Sequence, residues 1–271
     1  MGKVQTKVGV IGVSEAGGGP ATPILFLHGV GSDKSVWHPQ LAHFARSRRA
    51  LAIDYPGYGE SEQRDGATRD DYARAALSVL DALGIERAHV CGLSLGGVVA
   101  IAMHALHPGR CASLVLADSF AVHPEGQAIY DRSTAASHTV TMRELAEARA
   151  PSLLGAAAGE AIKAEVIETM GWIDPAVYRQ GAEAVWLADQ QDRAAAIATP
   201  TLVLVGEEDR ITPPSLSRAL ADLAGSTAAE RPAVRLEMIA AAGHLANLEQ
   251  PAAFNRAVDT FITALDANGK A

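Results

Sequence analysis

The residues best suited to chemistry begin with a serine flanked by glycines. Residues 92–96 read Gly-Leu-Ser-Leu-Gly, which puts a glycine two positions away from Ser94 on each side. A nucleophilic serine is displayed on a strand-to-helix turn so sharp that glycine is needed beside it. The apolar run 89–91 before the motif and the helix-like run 95–102 after it supply that setting. We therefore predict that Ser94 is a nucleophile.

A serine hydroxyl needs a general base, and that base needs a carboxylate to orient it. Where serine is displayed on such a turn, the chain order is serine, then acid, then histidine. Asp209 follows the apolar run 201–205, and His244 follows the strand-like run 234–239. Both lie at the carboxyl ends of predicted strands, where doubly wound sheets place their sites. The order and spacing predict a catalytic triad of Ser94, Asp209 and His244.

Other carboxylates compete for the acid position. Asp118 follows an earlier strand-like run and could reach the histidine in a rearranged site. Glu207 and Glu208 precede Asp209 directly, and we interpret them as solvated loop residues.

Acyl transfer also needs N–H donors for the oxyanion that develops in the transition state. The amide of Leu95, directly after the predicted nucleophile, is the first expected donor. The second should come from the loop 28–31, His-Gly-Val-Gly, after the first core strand, where Val30 is the natural candidate. We interpret His28 as an organiser of this loop rather than as a base.

Two further patterns could bind other ligands. His104 and His107 are three residues apart on a predicted helix, but no third metal ligand accompanies them, so we predict no metal site. Residues 29–35 imitate a phosphate-binding loop that ends in Lys34 and Ser35. Asp33 stands where that loop requires glycine, and its carboxylate would repel phosphate. We predict no metal, nucleotide or other cofactor.

Composition excludes several classes of partner. The 271 residues are 48% hydrophobic and carry a net charge of −8, which disfavours nucleic acid as a partner. Cys91 and Cys111 do not form a disulfide framework. The first seven residues are not followed by the apolar segment of a signal peptide, and no apolar stretch is long enough to span a bilayer. We expect a cytoplasmic protein with a small-molecule partner and no membrane partner.

Strand-like and helix-like segments alternate along most of the chain. Thr68 and Asp71 form an N-cap pattern, and the helix that they begin should end at Gly84. Short apolar runs suit strands that are covered on both faces. These runs are residues 24–27, 50–54, 89–91, 114–117, 201–205 and 234–239. The alternation predicts an α/β fold with a mostly parallel, doubly wound sheet.

The alternation stops between residues 120 and 197, where the sequence is rich in Ala and Glu and has no convincing strand. We interpret this stretch as an inserted helical cap. The predicted organisation is a core formed by residues 1–119 and 198–271, with a cap formed by 120–197. The cap is mainly apolar and contains Trp172 and Trp186. We expect a small or medium organic acyl group beneath it, with Trp186 as a pocket wall.

Taken together, these motifs resemble the α/β-hydrolase superfamily along nearly the whole chain. The resemblance is carried by residues 28–31 with Trp37, 54–61, 92–97, 206–209 and 243–244. It implies the α/β-hydrolase fold and a serine hydrolase without a cofactor. Residues 92–97 and 243–251 are most similar to the 3-oxoadipate enol-lactonases of aromatic degradation. That similarity implies cleavage of a carboxylic ester or lactone, with 3-oxoadipate enol-lactone as a specific candidate.

Related activities are separated by single positions. Haloalkane dehalogenases and epoxide hydrolases place an aspartate where this chain has Ser94. Carbon–carbon hydrolases of meta-cleavage products often have Gly-Pro-Gly in the oxyanion loop and Met after the serine. This chain has Val30-Gly31-Ser32 and Leu95 at those places. Carbon–carbon hydrolysis stays open as an alternative, as does a non-catalytic ligand-binding protein on the same fold.

Overall fold

A computed structural model describes residues 2–267 and 269. The strands in it are β1 (Gly2–Thr6), β2 (Gly9–Ala16), β3 (Ile24–Leu27), β4 (Ala50–Ile53), β5 (Ala88–Leu93), β6 (Cys111–Ala117), β7 (Thr201–Gly206) and β8 (Val234–Ile239). The helices are α1 (His38–Phe44), α2 (Arg69–Ala82), α3 (Leu95–Leu106), α4 (Gly126–Thr139), α5 (Met142–Leu153), α6 (Glu160–Gly171), α7 (Pro175–Trp186), α8 (Gln191–Ala195), α9 (Pro214–Leu223), α10 (Ala246–Glu249) and α11 (Pro251–Ala267).

The eight strands form one sheet in the order β1-β2-β4-β3-β5-β6-β7-β8. The pairings of β1 with β2 and of β2 with β4 are antiparallel, and the other five are parallel. The predicted mostly parallel sheet is therefore confirmed, and all six predicted strands occur as β3–β8. Strand β5 runs further than predicted, because Gly92 and Leu93 continue its pairing with β6 up to the serine turn.

The N-terminal hairpin β1–β2 was not predicted. Residues 7–8 connect the two strands, and Gly9 closes the turn with a φ of 113°. Strand β1 is largely exposed, and β2 is interrupted by Gly12. Neither strand has the continuous apolar run that marks a strand covered on both faces, so the pattern that identified the central strands does not detect an edge hairpin.

Helices cover both faces of the sheet. Side chains of successive strand residues point to opposite faces. Val90 of β5 and Leu114 of β6 pack into one buried cluster with α2 and α3. Cys91 and Val115, one position further along, pack into a second cluster with α1 and α11. Apolar residues are buried on both faces, which is why β5 and β6 read as unbroken apolar runs.

The start and end of helix α2 follow the predicted signals. The Thr68 hydroxyl accepts a hydrogen bond from the amide of Asp71, and the Asp71 carboxylate accepts one from the amide of Thr68. Gly84, just beyond the last turn, has a φ of 65°. This left-handed conformation favours glycine and ends the helix where the sequence predicted.

Five helices, α4–α8, lie between β6 and β7. The chain just before α4 and the chain just after α7 run side by side, since Val122 forms an isolated antiparallel bridge with Asp189. The amide of Gln190 also donates to the carbonyl of Ala121 at 2.9 Å. The division into a core of 1–119 and 198–271 and a cap of 120–197 stays a prediction.

A buried ion cluster supports the loop after β3. Lys34 Nζ lies 2.6 Å from Asp54 Oδ2 and 2.8 Å from Glu60 Oε2. The amides of Lys34 and Glu60 also donate to the Asp54 carboxylate, at 2.8 and 2.9 Å. Both Lys34 and Asp54 are buried. Lys34 thus neutralises carboxylates within the protein, which agrees with the rejection of a phosphate-binding loop.

Substitution of Lys34 by alanine should destabilise the protein strongly. It leaves the buried Asp54 carboxylate without a countercharge, which typically costs about 3–5 kcal/mol. The measurement is the free energy of unfolding from urea titration. Lys163→Ala is the matched control, because Lys163 pairs at 3.8 Å with the exposed Glu160. Its loss should change the free energy by about 0.5 kcal/mol or less. Equal effects of the two substitutions would contradict the role given to Lys34.

Candidate active site

Ser94 occupies a strained turn between β5 and α3. Its backbone has φ 55° and ψ −114°, a left-handed conformation that residues other than glycine rarely adopt. A Cβ atom on Gly92 would collide with the backbone of Gly96, and one on Gly96 would collide with the carbonyl of Leu27. The two glycines therefore permit the close backbone approach that displays Ser94 at the carboxyl end of the sheet.

The predicted acid and base are in direct contact. His244 Nδ1 lies 2.9 Å from Asp209 Oδ2. The Thr212 hydroxyl donates to the same carboxylate oxygen at 2.6 Å. The other oxygen, Oδ1, accepts hydrogen bonds from the amides of Ile211 at 2.8 Å and of Thr212 at 3.0 Å. Asp209 is thus fixed by four hydrogen bonds, and it orients the imidazole of His244.

The environment of Asp209 stabilises its ionised form. Burial by itself raises the pKa of a carboxyl group. The charge and hydrogen bond of His244 and the hydrogen bonds of Thr212 outweigh burial and lower the pKa of Asp209 from 3.8 to about 2. Asp209 therefore carries a negative charge at neutral pH, as the acid of a triad requires.

Ser94 and His244 line one pocket, but they do not form a direct hydrogen bond. Among the described residues, no group lies within hydrogen-bond distance of Ser94 Oγ. Catalytic hydrogen bonds are often long in unliganded sites and shorten when substrate binds. The arrangement is a bonded Asp209–His244 pair beside a serine that faces the same pocket.

Of the two predicted oxyanion donors, Leu95 directly follows Ser94 in the chain, and Val30 lines the same pocket as Ser94. Neither the amide of Val30 nor that of Leu95 donates to an acceptor within residues 2–267 and 269, so both are available to a ligand. Val30 lines the pocket, and its carbonyl accepts a hydrogen bond from the Tyr58 hydroxyl at 3.2 Å. His28 is buried, with Nδ1 2.8 Å from the carbonyl of Gly29, which agrees with the predicted role as loop organiser.

Asp118, the rival candidate for the acid, lies behind Asp209 and has no hydrogen bond to His244 in the described part of the chain. Its Oδ1 accepts a hydrogen bond from the amide of Gly206 at 2.7 Å. Burial raises the pKa of Asp118 well above its ordinary value, and the negative charge of Asp209 raises it further. Both effects favour the protonated form of Asp118. Within residues 2–267 and 269 its Oδ2 has no hydrogen-bond partner, and a proton on this oxygen could be donated towards Asp209.

The interpretation of the two glutamates before Asp209 was half right. Glu207 is exposed, as a solvated residue should be. Glu208 is half-buried, and its carboxylate accepts a hydrogen bond from the amide of Ala156 at 2.7 Å. Glu208 lies in a loop that contacts the helical segment, so its carboxylate is hydrogen-bonded to a backbone amide instead of to water.

Sequence patterns missed Thr212 and Glu249, which position the acid and the histidine. Glu249 Oε1 accepts a hydrogen bond from the amide of Gly243 at 3.0 Å, and its Oε2 accepts one from the amide of Gly155 at 2.7 Å. The amide of His244 donates to the carbonyl of Leu153 at 2.8 Å. These bonds join the histidine loop to the end of helix α5. Glu249 lies in the segment 243–251 that carried the resemblance, but spacing alone gave no reason to select it.

The pocket above Ser94 is lined mostly by apolar side chains. Trp186, only 2% exposed, forms part of its wall, as predicted. Trp172 is 84% exposed and lies outside the lining, so it does not contribute to the pocket. It is the C-cap residue of α6, at the end of a helix whose Val166 and Met170 face the pocket instead.

The described residues contain neither a cluster of metal-ligating side chains nor a membrane-spanning helix. Within residues 2–267 and 269, no group of three or more His, Cys, Asp or Glu side chains could hold a metal ion. In the same part of the chain, no helix combines the length and the apolar character that a bilayer crossing needs. His104 is buried and His107 is exposed at the end of α3, and within the described residues the two do not belong to a cluster of metal-ligating side chains.

Substitution of Asp118 by asparagine tests whether this residue is a neutral acid. Asparagine offers an oxygen to Gly206 and an N–H to Asp209, as the protonated carboxyl does. Because its folded-state pKa is raised, wild-type Asp118 favours folding below its unfolded pKa and loses that contribution as pH rises towards the folded pKa. Relative to wild type, Asp118→Asn should therefore gain free energy of unfolding between about pH 4 and pH 7, by at most about 1.4 kcal/mol per pH unit.

Urea titrations at several pH values measure this difference. Asp65→Asn is the control, because it makes the same chemical change at a residue that is exposed in a turn. A pH-independent difference for Asp118→Asn would mean that Asp118 is ionised in the folded protein.

Comparisons with known proteins identify the family of this chain. The model of the Alpha/beta hydrolase family matches residues 24–257. The chain is 25% identical to 3-oxoadipate enol-lactonase 1 of Acinetobacter baylyi over 256 residues, which cover 90% of each protein. It is 30% identical to 2-hydroxymuconate semialdehyde hydrolase of Pseudomonas sp. (strain CF600) over 270 residues, 92% of this chain and 89% of that one.

Solved structures include an enol-lactonase from Burkholderia xenovorans LB400 with a TM-score of 0.88 and 27% identity. The match covers 97% of this chain and 100% of that one. The predicted fold and the predicted likeness to enol-lactonases are confirmed. The chain is a hydrolase that belongs to the alpha/beta hydrolase family.

Proposed function

We propose that this protein is a serine hydrolase that cleaves a carboxylic ester or lactone of a small organic substrate. Ser94 is the nucleophile, His244 is the general base and Asp209 is the acid that orients it. The observation that carries the proposal is the 2.9 Å contact between His244 Nδ1 and Asp209 Oδ2, beside a pocket that Ser94 also lines. The strained backbone of Ser94 is a second support, since such strain clusters at functional sites.

The first half of the reaction forms an acyl-enzyme. His244 Nε2 takes the proton from Ser94 Oγ as this oxygen attacks the substrate carbonyl carbon. The amides of Val30 and Leu95 donate hydrogen bonds to the resulting oxyanion. When the carbon–oxygen bond to the leaving group breaks, His244 returns the proton to the departing oxygen. Asp209 balances the positive charge on the imidazole throughout.

The second half releases the acid. His244 removes a proton from water as the water oxygen attacks the acyl carbon, and the proton then passes to Ser94 Oγ as the acyl bond breaks. Both steps use only protein groups and water, so the reaction as written needs no metal or organic cofactor. We place the enzyme in the cytoplasm, where free thiols such as the buried Cys91 and Cys111 persist.

The apolar lining of the pocket favours a small or medium organic group near the scissile carbonyl. The similarity to two enol-lactonases makes a lactone, with 3-oxoadipate enol-lactone as the specific candidate, the first substrate to test. A second candidate is carbon–carbon hydrolysis of a meta-cleavage product. It is favoured by the 30% identity to a 2-hydroxymuconate semialdehyde hydrolase.

Initial rates should be measured for wild type and variants on 3-oxoadipate enol-lactone, a short p-nitrophenyl ester and a meta-cleavage dienoate. Ser94→Ala should lower kcat by about 10⁴-fold or more, because the nucleophile is lost. Asp209→Asn should lower kcat by about 10³- to 10⁴-fold, because the imidazole is no longer held in the required tautomer.

Ser78→Ala is the matched control. Ser78 is a buried serine of α2 that bonds the carbonyl of Ala75 and does not line the pocket, so its loss should leave kcat within about twofold. Turnover of an ester or lactone that survives in Ser94→Ala would overturn the proposal. A rate that is high only on the dienoate would establish the carbon–carbon alternative.

A further inference from the structure

A second cavity adjoins the catalytic pocket and has no part in the chemistry described so far. It contains about 1280 Å³ of space, part of it open to solvent. Three residues, Arg149, Trp186 and Ile211, line both cavities. The two cavities are therefore adjacent, and these three side chains lie at the boundary between them.

The second cavity is positively charged within an acidic protein. Arg132, Arg149 and Arg210 line it, and Glu125 is the one acidic residue in its lining. Within residues 2–267 and 269, none of the three arginines forms an ion pair, although the chain carries a net charge of −8. Unpaired arginines that converge on one cavity in such a chain create a local site for an anion.

His123, also in this lining, does not add to the charge. Its Nδ1 accepts a hydrogen bond from the amide of Glu125 at 3.1 Å, and its Nε2 lies 3.4 Å from the carbonyl of Ile211. One ring nitrogen accepts and the other donates, which is the pattern of a neutral imidazole. Burial lowers the pKa of His123 in agreement with this form. The charge therefore comes from the arginines.

Arg149 is fixed in position at the boundary of the two cavities. It lies on α5 and is half-buried. Its Nη1 donates to the Tyr178 hydroxyl of α7 at 3.1 Å and lies 3.3 Å from the Ser133 hydroxyl of α4. In the described part of the chain, its Nε and Nη2 have no hydrogen-bond partner. The free edge of a held guanidinium matches the two oxygens of a carboxylate.

We propose that the second cavity is a subsite in which Arg149, assisted by Arg132 and Arg210, binds a carboxylate at the end of the substrate remote from the scissile carbonyl. The substrate class is then an ester or lactone whose chain carries a terminal carboxylate, with an apolar part beside Trp186. This inference rests on the proposed function for the position of the carbonyl. It does not require turnover for the carboxylate to bind.

The first experiment measures kcat/KM on paired p-nitrophenyl esters. One series is formed from dicarboxylic acids of four to ten carbons, esterified at one end, and the other from monocarboxylic acids of the same lengths. Wild type should prefer the acidic member of at least one pair. Arg149→Gln should lose about 10- to 100-fold on that member, because a charge-assisted hydrogen bond is lost, and remain within about threefold on its neutral partner.

Arg179→Gln is the matched control. Arg179 lies on α7, is also half-buried and also contacts a serine hydroxyl, that of Ser137 at 3.4 Å, but it lines neither cavity. Its substitution should leave the preference for acidic esters unchanged. Equal turnover of both series by wild type, or equal losses in the two arginine variants, would overturn the subsite.

A binding experiment separates this proposal from the proposed function. Calorimetry should show that Ser94→Ala binds the monomethyl ester of the best dicarboxylic acid. The same variant should bind the corresponding dimethyl ester about 10-fold or more weakly. Adding Arg149→Gln should abolish that difference. Binding of this kind without any ester turnover by wild type would support the subsite and contradict the hydrolase mechanism. Turnover by wild type without a preference for acidic esters would support the hydrolase mechanism and contradict the subsite.

Discussion

The active-site geometry depends on keeping one buried carboxylate charged. Removal from water disfavours a charged carboxylate, and a buried group in this position would normally take up a proton. Asp209 avoids this with two backbone amides, the Thr212 hydroxyl and the imidazole of His244. Asp118 has the amide of Gly206 as its one backbone donor among the described residues, and burial raises its pKa well above the ordinary value. The larger number of donors around Asp209 therefore favours the ionised form of the carboxyl group that contacts His244.

The same loops that hold this charge also hold the helical segment above the pocket. The amide of His244 bonds to the end of α5, and Glu249 and Glu208 bind the backbone of the residues just after that helix. Arg149, one turn before the end of α5, then contacts α4 and α7. The pocket wall and the histidine loop therefore share one support, the C-terminal end of α5.

The central sheet and the places of the three proposed triad residues could be predicted because each leaves a local trace in the chain. Buried parallel strands read as apolar runs, and Ser94, Asp209 and His244 each follow such a run. The hairpin β1–β2 leaves no such trace, because half of it faces water. Thr212 and Glu249 were missed because their roles depend on contacts that spacing does not encode. Trp172 and Trp186 have the same side chain in the same segment, and only packing separates the exposed one from the pocket wall.

That difference between the tryptophans gives the protein a built-in optical probe. Trp172 is 84% exposed, whereas Trp37 and Trp186 are buried. An ionic quencher dissolved in the buffer reaches the indole of Trp172 and is excluded from the other two. The fluorescence that remains comes from Trp37 in the core and from Trp186, which alone of these two borders both cavities. In the presence of the quencher, a ligand-dependent change in emission therefore originates at Trp186, in the wall between the two cavities.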